Sequence, residues 1–328
     1  MSTQWMLKTR GDPLGTLHRF ARDVWRVAGL EAMVVQPTGR DQPHILADPA
    51  WLGEVNPFQP LMLMNMAKVI PDVLKEHPDG RVGVMLRPCE MRALTEMAGR
   101  GAFRAERLLT VCVDCLGTFP EDEFEWRSAR KGSGKRLEDE ALQFAPQGGI
   151  AAYRYRAACQ MCASPGAAEA DVNVGVLGLP IRQTVLVDAK NGGTDWKRIT
   201  DGKADPALSA LREVMLAKLS ERHTRTRERV ISSLMEVLPA DVETLLDQFE
   251  KCGACEACMG ACPICAVNYP RQAKGRYRRE DVAGWLASCA GCGMCEQSCP
   301  QHLPLSIIFT HVKQKVKETL EDAVCLER

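Results

Sequence analysis

Eight of the fifteen cysteines in this 328-residue chain fall into two matching runs. Cys252, Cys255, Cys258 and Cys262 are followed by Pro263; Cys289, Cys292, Cys295 and Cys299 are followed by Pro300. Each run reads C-x2-C-x2-C-x3-C-P. Three closely spaced thiolates let a short loop cup three iron corners of one cubane, and the final step turns the fourth sulfur toward a neighbouring cube. The spacing therefore assigns Cys252, Cys255, Cys258 and Cys299 to one [4Fe–4S] cluster. Cys289, Cys292, Cys295 and Cys262 go to a second. Zinc is the other metal that soft thiolates select. Structural zinc sites, however, usually draw on separated C-x2-C hooks and often on histidine, and neither run is followed by histidine at finger spacing.

Five further cysteines lie earlier: Cys89 after Pro88, the pair Cys112 and Cys115, and the pair Cys159 and Cys162. Each falls at the end of an expected strand or in a nearby loop, where distant segments converge. A buried free cysteine is often plain core. Two C-x2-C pairs plus a single cysteine nevertheless raise a third metal site. Cys265 and Cys325 fit no ligand pattern.

The elements that must position these thiols read as α/β up to residue 204. Asp12-Pro13 starts a helix carrying Leu14, Leu17, Ala21, Val24 and Ala28 at helical spacing, with Gly29 at its stop. Short β-like runs follow at Met33–Val35, Val82–Leu86, Leu108–Val113, Val172–Leu177 and Thr184–Val187. Helices are expected over Leu61–Glu76, broken or kinked at Pro71, and over Glu90–Met97. The alternation predicts a mixed or parallel sheet with flanking helices. Glu121–Glu140, dense in charge and bearing Gly132 and Gly134, reads as a solvated excursion. No phosphate-loop or G-x-G-x-x-G dinucleotide fingerprint occurs.

From Asp205 the pattern is helical. Asp205-Pro206 opens a helix, Ser220–Arg229 reads as a hinge or an exposed helix, and Asp241 caps a short helix into the first cysteine run. Ala283, Trp285 and Leu286 suggest a helix into the second run. Ile308, Val312, Val316 and Leu320 form a stripe after it. The expected organisation is an α/β unit over 1–204, a helical connector over 205–250, and a mostly helical ferredoxin-type two-cluster module over 251–328. The basic stretches Arg222–Arg229 and Arg271–Arg279, the second between the cysteine runs, read as solvated and partly charge-compensating faces, with docking of an acidic partner or a cofactor phosphate as the alternative.

The chain has 45% hydrophobic residues and a formal net charge of +0. A sizeable core is expected, and nothing in the overall charge suggests nucleic acid. No stretch approaches the roughly 18 apolar residues of a membrane span, and the N-terminal residues lack the apolar core of a signal peptide. Metal ligation rather than disulfides makes a cytoplasmic protein the expectation.

The block from Arg81 to Leu94, with its strand, Pro88-Cys89 and helix, resembles the coenzyme F-420 hydrogenase/dehydrogenase beta-subunit family. Leu108–Phe119, and Cys159-Gln-Met-Cys162 followed by Ala170–Gly178, are similar to that family's next blocks in the same order. With a two-cluster module behind, the architecture is closest to the formate dehydrogenase beta subunit within the family. The resemblance implies FAD and one further [4Fe–4S] cluster in the α/β unit. It implies Cys89, Cys115, Cys159 and Cys162 as that cluster's ligands, with Cys112 the spare. It places Asn65 and Lys68 where the family approaches the flavin. The implied function is an electron-transfer beta subunit, partnered by the catalytic subunit of a formate dehydrogenase or hydrogenase. A heterodisulfide-reductase-type iron–sulfur linker without flavin, a free-standing flavin oxidoreductase and a zinc-stabilised interaction protein are the alternatives.

Overall fold

The parallel strands expected from the sequence form the centre of a larger mixed sheet in the computed structural model. It describes residues 3–37, 42–150, 154–190, 195–236, 255–268, 272–273, 276–277 and 284–326. The strands are β1 (Thr3–Lys8), β2 (Leu30–Val35), β3 (His44–Leu46), β4 (Arg81–Leu86), β5 (Leu108–Val113), β6 (Val172–Gly175) and β7 (Thr184–Ala189). They lie in the order β1-β7-β6-β5-β4-β2-β3. The strands β2, β4, β5 and β6 are parallel neighbours, while β3, β7 and β1 join antiparallel. Neither β1 nor β3 is evident from its residues alone. Both lie at the sheet's edges, β1 held by its register with β7 and β3 by its register with β2.

The two faces of the sheet are covered by different helices. Helix α1 (Pro13–Ala28) starts where Asp12 accepts a hydrogen bond from Gly15 N–H and stops at Gly29, whose φ of 60° is left-handed. It buries Leu17, Phe20, Ala21, Val24 and Trp25 in one core, together with Val111 and Val113 of β5. The opposite face packs on α2 (Ile70–Glu76) and α3 (Pro88–Gly99). Alternation along β5 sends Cys112 to this second face, where it is fully buried. Ile264 and Ala290, from the two cysteine runs, belong to that same core. The C-terminal segment thus packs directly against the sheet's helices.

Three sequence readings need correction. The helix expected over Leu61–Glu76 begins only at Ile70, after a 3-10 turn at Met66–Val69, and Pro71 lies in its first turn. Proline there costs no hydrogen bond, so it starts the helix instead of kinking it. The strand expected to reach Leu177 ends at Gly175, because the Asp114 carboxylate takes the N–H groups of Val176 and Leu177. Glu121–Glu140 is not a loop but two helices, α4 (Glu121–Lys131) and α5 (Gly134–Gln143). The sparse apolar side chains Leu137, Ala141 and Leu142 fall on one buried face of α5. Of the two readings of Ser220–Arg229 the helix holds: the stretch lies within one unbroken helix, α7 (Pro206–Met235), while the short α6 (Ala157–Gln160) precedes β6.

The second half of the expected connector, including the Asp241 helix, and Cys252 lie outside the described residues. Beyond them are a helical turn at Ala257–Ala261, another at 284–287, a third at Met294–Gln297, and a final helix at Leu305–Leu326. Among the described residues no helix is long and apolar enough to cross a membrane.

Candidate metal centres

Cys89 and Cys115 reach the same place because β4 and β5 are parallel neighbours, so their carboxyl ends open on one edge of the sheet. Pro88 sits at the first turn of α3 and sets Cys89 beside it. Glu90, fully buried, accepts from Arg87 N–H at 2.8 Å and from Met66 N–H at 3.2 Å, which pins the start of that helix. Cys115 follows Asp114, whose carboxylate also accepts from Ala167 N–H and pairs with Arg212 at 2.6 Å. The short helix α6 and its last turn bring in Cys159 and Cys162. A cavity of about 130 Å³ is lined by Cys89, Cys115, Cys159 and Cys162, and also by Cys292 of the second run. Cys112 does not line it.

Asp114 makes a test of this scaffold. Burial pushes its carboxyl above the usual range, although Arg212 and the three N–H groups pull it back. Desolvation thus outweighs the pair's attraction, but removing one member strands the other. Asp114→Ala should destabilise the protein by about 3 kcal/mol, read as a lower thermal midpoint, by leaving the mostly buried Arg212 unpaired and the loop after β6 untied.

A second, smaller cavity of about 30 Å³ is lined by Cys262, Cys289, Cys292 and Cys295, with Ile264, Trp285, Leu286 and Phe309. Its thiols come from both runs. Cys299 is buried in an apolar cluster against which Cys258 and Cys295 pack, while Cys255 is exposed. Cys265 is core: it is 4% exposed and accepts from the Trp285 indole N–H at 3.0 Å.

The two cavities adjoin. Gly293 has a φ of 72°, and a Cβ there would come within 2.6 Å of the Ala158 Cβ. Only glycine lets the second run approach α6 this closely. Three basic side chains line a further crevice between Cys162 and Cys289: Arg92, Arg227 and Lys313. Each donates to backbone carbonyls of the surrounding loops: Arg92 to Ala290 and Ser164, Arg227 to Met161, Lys313 to Cys289. Asn65 and Lys68 line none of these cavities. Lys68 Nζ donates to the Gly260 carbonyl in the first run. The Asn65 Nδ2 is buried without a hydrogen-bond partner of ordinary geometry, yet its side chain favours the thiolate form of Cys292.

The thiols themselves are tuned unequally. Burial pushes Cys115 up to about 12 and Cys289 up to about 11, and drives Cys89 and Cys295 well above the ordinary thiol range. Neighbouring sulfurs add to these shifts. A hydrogen bond with Cys265, followed by burial, raises Cys262. Burial works the same way on Cys159, but the Arg156 guanidinium and the Thr118 hydroxyl outweigh it and hold that thiol below its ordinary value. Burial alone would keep most of these thiols protonated, and a bound metal centre would take their protons.

Among the described residues no three His, Cys, Asp or Glu side chains converge as a single-ion site requires. A zinc ion draws its sulfurs to about 2.3 Å of one centre. The four thiolates of a cubane bond to four separate irons and stand farther apart. A four-cysteine lining around a cavity is a donor set that a cluster could use, whereas the described residues offer no group of three ligands for a metal ion.

No family model matches the chain. It is 21% identical over 305 residues to the F420-dependent formate dehydrogenase subunit beta of Methanocaldococcus jannaschii, a match covering 78% of this chain and 76% of that protein. It is also 33% identical over 84 residues to the acetyl-CoA decarbonylase/synthase complex subunit alpha 1 of Methanosarcina mazei, where the match covers 24% of this chain and 10% of the other. The site described above thus lies in a chain distantly similar, over most of its length, to a formate dehydrogenase beta subunit.

Proposed function

We propose that this protein is an iron–sulfur electron-transfer subunit of a larger oxidoreductase, serving the catalytic subunit of a formate dehydrogenase or hydrogenase. The observation that carries the reading is the pair of adjoining cavities, one lined by five cysteines and the other by four, with Cys292 common to both. Cys89, Cys115, Cys159 and Cys162 would hold one [4Fe–4S] cluster, and Cys262, Cys289, Cys292 and Cys295 a second. Cys252, Cys255, Cys258 and Cys299 are assigned to the third on motif spacing. Such clusters supply one-electron carriage. The chain's own residues bury the thiols, fix their loops through Glu90, Asp114 and Gly293, and set positive charge around them. Distant similarity to a formate dehydrogenase beta subunit supports the choice of partner.

The FAD expected from the resemblance has no such support among the described residues. Asn65 and Lys68, which the resemblance places near the flavin, lie beside Cys292 and the Gly260 carbonyl. The experiment is anaerobic mixing with formate or hydrogen. The native complex should show bleaching of cluster absorbance, and the isolated chain should not. Reduction of the isolated chain by either substrate would overturn the subunit reading and favour a free-standing enzyme.

A further inference from the structure

Arg156 is a buried cation with an unusual set of neighbours. Its residue is 6% exposed, and among the described residues no carboxylate pairs with it. Its Nε donates to Thr118 Oγ1 at 2.8 Å, and its Nη1 to Gln297 Oε1 at 3.1 Å and Met294 Sδ at 3.5 Å. Nη2 points at Met62 Sδ at 3.3 Å and Cys159 Sγ at 3.8 Å. Thr118, Met62 and Cys159 belong to the α/β part; Met294 and Gln297 belong to the second cysteine run. The guanidinium therefore ties the α/β part to the loop of the second cysteine run, beside the larger cavity it lines.

Taking a guanidinium out of water without a counter-charge costs several kcal/mol. Methionine sulfur, a hydroxyl and an amide oxygen do not supply one. Arg156 lines the larger cavity with Cys89, Cys159 and Cys292, and Cys292 lines the smaller cavity as well. Loaded four-cysteine sites are anionic, so this one cation has an anion in its own cavity and, through Cys292, a second beside it.

We propose that Arg156 is the shared counter-cation of the two cysteine centres, raising both reduction potentials together. This rests on the cluster reading above. Adding an electron increases the negative charge of a centre, and a fixed cation nearby favours the reduced form. Arg156 is thus a positioning and tuning residue for both sites, and the assigned third cluster, from Cys252, Cys255, Cys258 and Cys299, is not under its control.

The test is a potentiometric titration of the anaerobic full chain followed by electron paramagnetic resonance. Arg156→Gln should lower the reduced fraction of two of the three clusters at least roughly tenfold at fixed ambient potential, with iron content unchanged and the third cluster unmoved. Arg156→Lys, which keeps the charge, should recover most of that loss. Gln297→Glu places a carboxylate on the guanidinium and should shift the same two clusters downward without removing Arg156, so it reads the proposal even where Arg156→Gln does not fold. Unmoved potentials in Gln297→Glu, or a shift confined to one cluster, would overturn the proposal. Wild-type protein lacking iron and acid-labile sulfide would instead overturn the cluster reading on which it rests.

Discussion

Alanine in place of Cys262 should remove about four irons from the chain and spare the cluster that its own run begins. By sequence, Cys262 closes the first run. In space it lines the cavity of Cys289, Cys292 and Cys295, beneath Trp285 and Phe309. Pro263 and Ile264 turn the chain into the core at α2 and α3, which carries the sulfur across. Among the described residues lining this small apolar cavity, none offers a side-chain oxygen to replace a lost thiolate. Iron analysis and electron paramagnetic resonance of the variant check this. Loss of the signal belonging to Cys255 and Cys258, with the other intact, would show that each run serves a single cluster.

The second large effect should separate Cys159 from Cys112. Cys159→Ala should lose about a third of the iron, because Cys159 lines the α/β cavity and is the thiol that Arg156 and Thr118 hold below its ordinary value. Cys112→Ala should keep all of it. That side chain is 0% exposed on the opposite face of β5 from Val111 and Val113, and burial pushes its thiol up to about 12. Its cost should be a cavity, about 1 kcal/mol of stability, read in thermal unfolding. Iron loss from the Cys112 variant, with Cys115 dispensable, would reverse the ligand choice.

Much of this was legible in the residues because ligand spacing and strand patterns are local. The parallel centre of the sheet follows from the continuous apolar runs of β4 and β5, buried on both faces as parallel strands are. The edge strands β1 and β3 were not legible, since their pairing to β7 and β2 is a tertiary contact. The charged helices α4 and α5 were hidden for the opposite reason. Their apolar positions are few, and the buried Glu138, bonded to Asn56 at 2.6 Å, looks solvated in one dimension. Cavity membership separates Cys112 from Cys115 through the two-residue period of β5, which continues the sheet up to Val113 and then breaks at Asp114. Arg156 carries no sequence signal at all. It is one arginine among many, and only its burial beside sulfurs from two distant segments sets it apart.

The most direct test of the account is a metal and sulfide count on the full chain purified without oxygen. Three cubanes predict about twelve irons and about twelve acid-labile sulfides per chain, with no stoichiometric zinc. Stoichiometric zinc with no sulfide would contradict the account.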